Sequence, residues 1–246
     1  MSKQAESIAI VTGASRGIGA AIAKQLSQDG FAVIINYIGD REAADQVVFD
    51  IETSGGRAHA IKADVSNPTE VTKLFDKTIN VVGIPNVLVN SAGIMMLAPL
   101  GDSDDELFDR TIAVNLKGTF NTMREASKRF ENGGRIINLS TSVTSLNLPN
   151  YAIYAATKSA VETMTAILSK EMRGRSITVN AVAPGPTATD LFLNGKSDEL
   201  IEQLSKMNPL ERLATPNDIA NTVSFLAGQK GAWINGQTIR ANGGMI

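Results

Sequence analysis

In residues Ser7–Gly19, SIAIVTGASRGIG, a short apolar run leads straight into a glycine-rich turn. The run Ser7–Thr12 is rich in β-branched residues and predicts a buried strand, and the segment Gly17–Gln28 that follows has the period of a helix. Glycines let a ligand approach the backbone closely, and the start of the helix offers free N–H groups to an anion. The unit therefore predicts a site for the pyrophosphate of a dinucleotide, although glycines alone could also make only a tight turn.

The same alternation of apolar runs and helical segments continues along the chain. Further strands are predicted at Ala32–Tyr37, Arg57–Ala63, Asn86–Asn90, Arg135–Ser140, Ser176–Val182 and Thr238–Ala241. Further helices are predicted at Asp40–Thr53, Pro68–Val81, Asp104–Glu131, Tyr151–Arg173 and Pro216–Leu226. The first five strands are expected to be continuously apolar, as in a parallel sheet covered on both faces. The sequence predicts an α/β fold over residues 1–246: a single Rossmann-type doubly wound domain, with a seven-stranded, mostly parallel sheet and helices on both faces.

The segment Pro184–Pro209 breaks this rhythm with three prolines, two glycines and mixed polarity. A long irregular segment inside a compact domain is usually functional. We expect a substrate loop at about 184–209 that is mobile or open without ligand and becomes ordered when cofactor and substrate bind.

Composition and charge exclude several classes of function. The 246 residues carry 23 Lys and Arg against 25 Asp and Glu, and the net charge of −2 makes nucleic acid or an anionic membrane a poor partner. The absence of cysteine excludes disulfides and thiolate chemistry, and the one histidine, His59, cannot build a multi-histidine metal site. There is no run of about 18 apolar residues, and the opening residues MSKQAESIAIVTG lack the apolar core of a secretion signal. We expect no metal, no nucleic acid, no membrane partner and a cytoplasmic location.

The end of the second predicted strand decides which dinucleotide is expected. An NAD site usually places Asp or Glu about 20 residues past the glycines, where the carboxylate binds the ribose hydroxyls. The strand-end positions here are Asn36 and Tyr37, both uncharged. Arg16 in the glycine turn and Arg41 past the strand are suited to binding a 2′-phosphate. Asp40 is the counterargument, unless it caps the next helix, and the pattern favours NADP(H) over NAD.

Tyr154 is followed four residues later by Lys158, which places both side chains on one face of a helix. An ammonium about 4 Å from a phenol would lower the phenol's pKa by on the order of three units from its ordinary value near 10. Such a tyrosine can exchange a proton with a carbonyl oxygen or an alcohol at neutral pH. Ser140-Thr141-Ser142 follows the fifth strand, where a hydroxyl could bind the developing oxyanion. Without that context, the pair could equally be a packed tyrosine and a surface lysine.

At these residues the sequence resembles the short-chain dehydrogenase/reductase family over Ile8 to Gly244. The matching pieces occur in the family's order: TGASRGIG at Thr12–Gly19, ADV at Ala63–Val65, NSAG at Asn90–Gly93, VNLKGTF at Val114–Phe120, YAATK at Tyr154–Lys158, NAVAPGPTATD at Asn180–Asp190 and WINGQTIRANGG at Trp233–Gly244. Asn36-Tyr37 and the stretch LPNYAIYAATKSAVE resemble NADPH-dependent 3-oxoacyl-carrier-protein reductases and trihydroxynaphthalene-reductase-like members.

The resemblance implies a role for each matching residue. Tyr154 would be the general acid and base, Lys158 would lower its pKa and bind the nicotinamide ribose, and Asn115 would hold a water of a proton relay. The residues that would line the phosphates and ribose of the cofactor are Gly13, Ser15, Arg16 and Ile18. Asp64 and Val65 would contact the adenine, and the adenine ribose would be covered by Asn90, Ala92 and Gly93. Pro184 and Gly185 would frame the nicotinamide, and Thr187 and Thr189 would bond its carboxamide or the nearby phosphate. Asn36 and Tyr37, and the catalytic pair Tyr154 and Lys158, would also bind the cofactor.

Two departures from the family pattern matter. Ser91 stands where the family usually has a second Asn, which keeps a polar group there. Counting without gaps back from Tyr154 places the catalytic hydroxyl at Thr141, whereas a loop one residue shorter places it at Ser142, followed by Val143 as in the family. Ser142 is the preferred candidate and Thr141 the alternative.

The function implied is an NADP(H)-dependent oxidoreductase that reduces a ketone or aldehyde, or oxidises the alcohol, of a small molecule. The alternatives are an NAD-dependent polyol or hydroxysteroid dehydrogenase and a non-catalytic, cofactor-sensing binding protein. Family members are commonly tetramers, so we expect a homotetramer that uses the two long predicted helices. Four apolar residues fit such a contact, or ordinary core packing: Phe120, Met123, Met164 and Leu168.

Overall fold

Seven strands form one sheet in the computed structural model, which describes residues 7–246. Their bounds are β1 Ile8–Thr12, β2 Ala32–Tyr37, β3 Arg57–Lys62, β4 Val87–Asn90, β5 Arg135–Leu139, β6 Thr178–Pro184 and β7 Thr238–Ala241. They run in the order β3–β2–β1–β4–β5–β6–β7, and every neighbouring pair is parallel. The predicted seven-stranded parallel sheet is confirmed.

Helices connect the strands on both sides of the sheet. Their bounds are α1 Gly17–Gln28, α2 Arg41–Thr53, α3 Pro68–Val81, α4 Asp105–Thr111, α5 Thr119–Arg129, α6 Val143–Leu146, α7 Ala152–Glu171, α8 Asp190–Leu193, α9 Asp198–Ser205 and α10 Pro216–Ala227. Within residues 7–246, no helix has the length and apolar character needed to cross a membrane. The first six residues, which bear on the expected lack of a secretion signal, lie outside the described part of the chain.

The two faces of the sheet carry separate apolar clusters, because successive strand residues point to opposite sides. Ala9 and Val11 of β1 pack with residues of α1, α2 and α10 on one face. Ile10 between them packs with residues of α3, α5 and α7 on the other face. Every residue of β1, β2, β4 and β5 is buried, as predicted for strands covered on both sides.

Several helices begin where a capping side chain stands in the sequence. The Asn67 side chain accepts hydrogen bonds at the start of α3, and Thr215 and Asp218 form a reciprocal capping box at the start of α10. Pro68 and Pro216 occupy the first helical positions, where no N–H group is needed. These starts agree with the sequence prediction.

The prediction of a continuously buried strand is wrong for β3. Ala58 and Ile61 are buried, but Arg57, His59 and Lys62 are exposed. This alternation follows from the position of β3 at the edge of the sheet, where one face is only partly covered. His59 therefore lies on the surface.

The single long helix predicted over Asp104–Glu131 is interrupted. A π-helical segment at Ile112–Gly118 joins α4 to α5. Gly118 lies so close to the loop after β3 that a Cβ on it would be 2.7 Å from Val65 Cγ2. The Asn115 side chain is held by the backbone of Ile94, as described below. Wider turns of this kind often occur at functional sites.

The segment Pro184–Pro209 was predicted to be irregular, and this is only partly correct. It contains α8 and α9, whose first turns are capped by the hydroxyls of Thr189 and Ser197. Both helices are short, with four and eight residues, so they depend on packing for their stability. The expected ordering of this segment on ligand binding stays a prediction.

Candidate active site

The predicted site residues meet at the carboxyl ends of the strands. The strand order reverses between β1 and β4, so the loops that follow these two strands diverge and leave a crevice. The glycine turn follows β1, and Asn90–Gly93 closes β4. Ser140–Ser142 follows β5, and Gly185–Thr189 follows β6. Segments far apart in sequence are therefore gathered along one edge of the sheet.

The glycine turn requires residues without side chains at several points. Gly13 and Gly17 have φ values of +62° and +55°, which other residues rarely adopt. A Cβ on Gly13 would lie 2.8 Å from Ala92 Cα, and one on Gly19 would lie 2.3 Å from the Gly13 carbonyl oxygen. The glycines thus bring β1 and the loop after β4 into direct contact.

The first turn of α1 is suited to an anion. No side chain caps its N–H groups, and no acidic residue stands in its first turn. Arg16, the residue before the helix, is exposed, and its guanidinium has no hydrogen-bond or ion-pair partner among residues 7–246. Ser15 and Ile18 beside it keep part of their surface exposed. Uncapped N–H groups, the helix dipole and a free guanidinium fit a pyrophosphate with a further phosphate nearby.

The two residues at the end of β2, Asn36 and Tyr37, have their side chains inside the protein. The Asn36 amide is buried and donates to the carbonyl oxygens of Ile61 and Ala63, at 3.3 and 3.0 Å, so it ties β2 to β3. Tyr37 is buried in the apolar cluster on the α1 side. Both side chains are buried inside the protein, because the end of the strand directs them inward. Whether these two residues meet a cofactor stays a prediction.

The charged residues just past β2 also have structural partners. Asp40 accepts a hydrogen bond from the Ala43 N–H at 2.9 Å and caps α2. Its position is therefore explained by the helix cap, without a role at an NAD ribose. Arg41 pairs with Asp45 at 3.1 Å on the surface of α2. Of the two arginines proposed from the sequence, Arg16 is therefore the one whose guanidinium is free to bind a 2′-phosphate.

The loop after β3 holds Asp64 and Val65, the residues predicted at the adenine. The Asp64 carboxylate accepts from the Ser66 N–H and hydroxyl, both at 2.8 Å. Val65 is buried against Gly118. The Asp64 carboxylate has a local partner, and whether this loop meets an adenine stays a prediction.

Asn90 is part of a buried chain of polar side chains and does not face the crevice. Its amide donates to Asn138 Oδ1 at 2.8 Å and accepts from the Thr122 hydroxyl at 2.6 Å. Asn138 in turn donates to the Thr165 hydroxyl at 2.8 Å. The Asn90 side chain is therefore occupied inside the fold, and whether Asn90 covers an adenine ribose stays a prediction.

Ala92 and Gly93 are placed by Thr12 at the end of β1. The N–H groups of Ser91 and Ala92 each donate to the Thr12 hydroxyl at 3.1 Å. A Cβ on Gly93 would lie 3.6 Å from Lys158 Nζ. This loop therefore connects the glycine turn with the predicted catalytic lysine.

Lys158 lies on α7, is buried, and donates from Nζ to the Leu139 carbonyl oxygen at 2.8 Å. The same Nζ is 5.9 Å from the centroid of the Tyr154 ring. Burial lowers the pKa of Lys158 to about 8. The ammonium is thus held under the face of the ring by the last residue of β5.

Tyr154 has a raised pKa, contrary to the prediction that Lys158 brings it toward 7. Burial raises the pKa of Tyr154 to about 12, opposed by a hydrogen bond with the Thr141 hydroxyl and assisted by Tyr151. The rings of Tyr151 and Tyr154 meet edge to face, with centroids 6.3 Å apart. The protein without cofactor therefore keeps Tyr154 protonated at neutral pH.

The surroundings of the two candidate hydroxyls favour Thr141 over Ser142, and the choice between them stays a prediction. Thr141 is the residue whose hydroxyl lowers the pKa of Tyr154. The Ser142 hydroxyl is buried, donates to the Ala183 carbonyl oxygen at 3.3 Å and accepts from the Asn242 amide at 3.0 Å. Successive side chains of this loop point in different directions, and the residue that counting without gaps indicates faces Tyr154.

Asn115 is fully buried in the π-helical segment. Its side chain makes a reciprocal pair with the backbone of Ile94, accepting from N–H at 2.8 Å and donating to the carbonyl oxygen at 2.9 Å. It also lies 3.5 Å from the Thr157 hydroxyl, one residue before Lys158. Asn115 therefore joins the loop after β4 to α7, and its predicted relay role is not tested by these contacts.

The loop after β6 closes the crevice from the other side. A Cβ on Gly185 would lie 2.9 Å from Asn242 Cα, and the Thr187 hydroxyl donates to the Gly185 carbonyl oxygen at 2.9 Å. Pro184 ends β6 and accepts from the Ser142 N–H at 2.9 Å. Thr189 caps α8 and lies across from Gly17, on which a Cβ would be 3.5 Å from Thr189 Cγ2.

Sequence reasoning missed Glu162 and Asn242. Glu162 accepts hydrogen bonds from Ser140 and Thr144 on the loop that carries Thr141. Its spacing of four residues from Lys158 was the available signal, since it predicts the same face of α7. No sequence pattern indicates that Asn242 reaches Ser142, because 100 residues separate them.

Comparison with known proteins agrees with this arrangement. The family model described as enoyl-(acyl carrier protein) reductase matches residues 13–246. A short-chain type dehydrogenase/reductase of Picea abies is 45% identical over 249 residues, covering 97% of this chain and 92% of that protein. A 3-oxoacyl-(acyl-carrier-protein) reductase of Staphylococcus aureus is 44% identical over 239 residues, covering 96% and 97%.

A solved structure extends the likeness to the whole fold. The angucycline C-6 ketoreductase LanV with bound NADP superposes with a TM-score of 0.92 and 37% identity, covering 97% of this chain and 95% of that one. The chain belongs to the short-chain dehydrogenase/reductase family of oxidoreductases. The family resemblance predicted from the sequence is confirmed.

Proposed function

We propose that this protein is an NADP(H)-dependent carbonyl reductase in which Tyr154 exchanges a proton with the substrate oxygen. The observation that carries the proposal is the meeting of three groups at the edge of the sheet: Tyr154, the Thr141 hydroxyl on it, and the buried Lys158 beneath its ring. They lie beside an uncapped helix start that fits a dinucleotide. The relatives support the cofactor, since the LanV structure holds NADP.

The cofactor would be held by the glycine turn, the first N–H groups of α1, Arg16 and the loop around Ala92 and Gly93. A bound nicotinamide supplies the hydride that reduces a carbonyl carbon. Arg16 favours the form with a 2′-phosphate, because a free guanidinium binds phosphate through charge-assisted hydrogen bonds. The loop Gly185–Thr189 borders the opposite side of the crevice.

Tyr154 supplies the proton in reduction. Its raised pKa keeps the phenol protonated at neutral pH, which suits an acid that donates to a carbonyl oxygen. The Thr141 hydroxyl favours the phenolate that remains and can bind the substrate oxygen. Lys158, charged below about pH 8, supports the same negative charge from beneath the ring.

The segment beyond Gly93 favours a neutral substrate. It reads IMMLAPL over Ile94–Leu100 and contains no charged residue. Leu97, Leu100 and Leu191 of the surrounding loops are exposed. Apolar walls with few polar groups are the usual surroundings of a small, uncharged ligand.

An assay of turnover tests the proposal. Neutral 3-oxoacyl esters and quinones should oxidise NADPH in the presence of the protein, and NADH should serve less well. A protein that binds NADPH but turns over none of these carbonyls would instead support the cofactor-sensing alternative.

We further propose a homotetramer of single-domain chains, located in the cytoplasm. Phe108, Phe120 and Ile167 of α4, α5 and α7 are exposed apolar residues on the two helical regions expected at a subunit contact. Met123 and Leu168 are buried in the core, so they do not offer a surface to another subunit. The proposed subunit contact therefore rests on Phe120 and not on these two residues.

A further inference from the structure

Three successive turns of α7 contact the end of β5 and the loop that follows it. The Thr141 hydroxyl lowers the pKa of Tyr154, and Lys158 donates to the Leu139 carbonyl oxygen at 2.8 Å. One turn further on, Glu162 Oε1 accepts a hydrogen bond from the Ser140 hydroxyl. The spacing of four residues places all three side chains on one face of the helix. The third contact belongs to none of the roles described above.

Glu162 holds the loop on both sides of Thr141. Ser140, directly before Thr141, is buried and bonded to the carboxylate. The Thr144 hydroxyl, three residues after Thr141, lies 3.3 Å from the same oxygen and 2.9 Å from the Thr141 carbonyl oxygen. The Thr144 hydroxyl has one proton, so it donates to one of these two acceptors at a time. The contact with Glu162 holds the loop toward α7, and the contact with the Thr141 carbonyl oxygen closes a turn within the loop.

The other side of the loop is fixed independently. The Ser142 N–H donates to the Pro184 carbonyl oxygen at 2.9 Å, and the Ser142 hydroxyl is bonded to Ala183 and Asn242. These contacts hold Ser142 to β6 and the chain end. The Ser140 N–H also donates to the Val182 carbonyl oxygen at 2.7 Å, so β6 holds the main chain on both sides of Thr141. The contacts from α7 act on the side chains of Ser140 and Thr144.

We propose that Glu162 is a positioning residue that sets the Thr141 hydroxyl against Tyr154 through Ser140 and Thr144. The inference rests on the proposed function, since it assumes that Tyr154 is the acid. A carboxylate accepts stronger hydrogen bonds than a neutral oxygen, and a buried hydroxyl left without an acceptor would make the loop rearrange. Loss of Glu162 would therefore release Thr141 without touching cofactor or substrate directly.

The position of Thr141 also affects the acidity of Tyr154. The Thr141 hydrogen bond lowers the pKa of Tyr154, while burial and Tyr151 raise it. The charged group that faces the ring is Lys158. Release of Thr141 should thus raise the pKa of Tyr154. Alcohol oxidation, which needs the phenolate, should then start at higher pH.

The test compares Glu162→Leu, which removes the acceptor, with Glu162→Gln, which keeps an acceptor oxygen without the charge. Glu171→Leu, at the exposed end of α7, is the matched control. We expect Glu162→Leu to lower kcat on the order of tenfold and to move the oxidation profile to higher pH. NADPH affinity should stay within about twofold, because the helix start and Arg16 are untouched. Glu162→Gln should keep most of the wild-type kcat and the wild-type profile.

Hydrogen exchange over residues 139–145 gives a readout that does not need turnover. Exchange should be faster in Glu162→Leu than in the wild type and Glu171→Leu. If Glu162→Leu does not fold, Ser140→Ala removes the donor instead and should change exchange and pH profile in the same direction. Unchanged exchange, an unmoved pH profile, or Glu162→Gln as impaired as Glu162→Leu would overturn the proposal. Absence of turnover in the wild type would overturn the proposed function, while exchange would still decide the positioning of the loop.

Discussion

At the scale of single residues, the site depends on where side chains point as well as on which residues are present. Asn36 and Asn90 stand at strand ends that border the crevice, yet their amides are bonded inside the fold. Thr141 and Ser142 are neighbours, yet it is Thr141 that lowers the pKa of Tyr154. Arg41 has a carboxylate partner, whereas the Arg16 guanidinium has none among residues 7–246. These differences lead to two predictions.

The first prediction concerns cofactor choice. Arg16→Ala should weaken NADPH binding by about tenfold or more, because a charge-assisted hydrogen bond to phosphate is worth roughly 1.5–3 kcal/mol. NADH binding should change by less than about twofold, since it lacks the 2′-phosphate. Fluorescence titration measures both. Arg41→Ala is the control, because Arg41 already pairs with Asp45 at 3.1 Å. A larger loss in Arg41→Ala than in Arg16→Ala would reverse the assignment.

The second prediction concerns the stability cost of Lys158. Burial lowers its pKa to about 8 from an unfolded value of 10.5, so the unfolded chain binds more protons between these pH values. The folded state therefore carries the full cost below pH 8 and gains stability as the pH rises toward 10.5. Lys158→Met removes this titration. From pH 7 to 10, the free energy of unfolding of the wild type should rise by about 2–3 kcal/mol relative to Lys158→Met.

Urea denaturation at the two pH values measures the difference, with Lys170→Met on the exposed surface of α7 as the control. Tyr154 titrates in both proteins, so its contribution cancels in the comparison. Equal pH dependence of the wild type and Lys158→Met would show that the lysine is not desolvated as the structure indicates.

At the scale of elements, the segment Pro184–Pro209 is the part of the site whose conformation is held least firmly. It consists of two short helices joined by loops, and Leu191 and Leu200 on them are exposed. Its firm contacts are at its two ends, where Gly185 meets Asn242, Thr189 meets Gly17 and the buried Asn208 meets Gly243. A four-residue helix such as α8 is marginal without further packing.

We expect hydrogen exchange over residues 187–207 to slow when NADPH is added, and to slow further with a carbonyl inhibitor. The reason is that bound ligands give Thr187, Thr189 and the apolar residues of α8 new contacts, so opening becomes less favourable. Exchange over β1 and β4, which are buried already, serves as the internal reference. Identical exchange of the segment with and without ligands would indicate a fixed wall.

At the scale of the whole molecule, the sequence predicted the parallel sheet because repeated strand–helix units place the strands side by side with helices on both faces. The turn at Gly13, the pair Tyr154 and Lys158, and the caps at Asn67 and Thr215 are local patterns, and each appears where it was expected. The edge exposure of β3 and the π-helical segment could not be predicted. Both depend on which elements pack against them, as Gly118 against Val65 shows.

The same limit explains the errors at the site. The raised pKa of Tyr154 follows from burial, together with a lysine that is held by the Leu139 carbonyl oxygen instead of the phenol oxygen. The spacing of Tyr154 and Lys158 shows that they share a helix face, but it does not show what else each side chain contacts. Glu162 was missed for this reason, because its partners lie on another element.

The variant Tyr154→Phe shows whether Tyr154 donates the proton that completes carbonyl reduction. The variant loses one hydroxyl, so kcat for NADPH-dependent reduction should fall by about 10²–10⁴-fold while NADPH binding by fluorescence stays within about twofold. A primary isotope effect with deuterated NADPH establishes that the chemical step limits the rate being compared. Turnover above about a tenth of the wild-type rate under that condition would contradict the claim and assign the proton to another group.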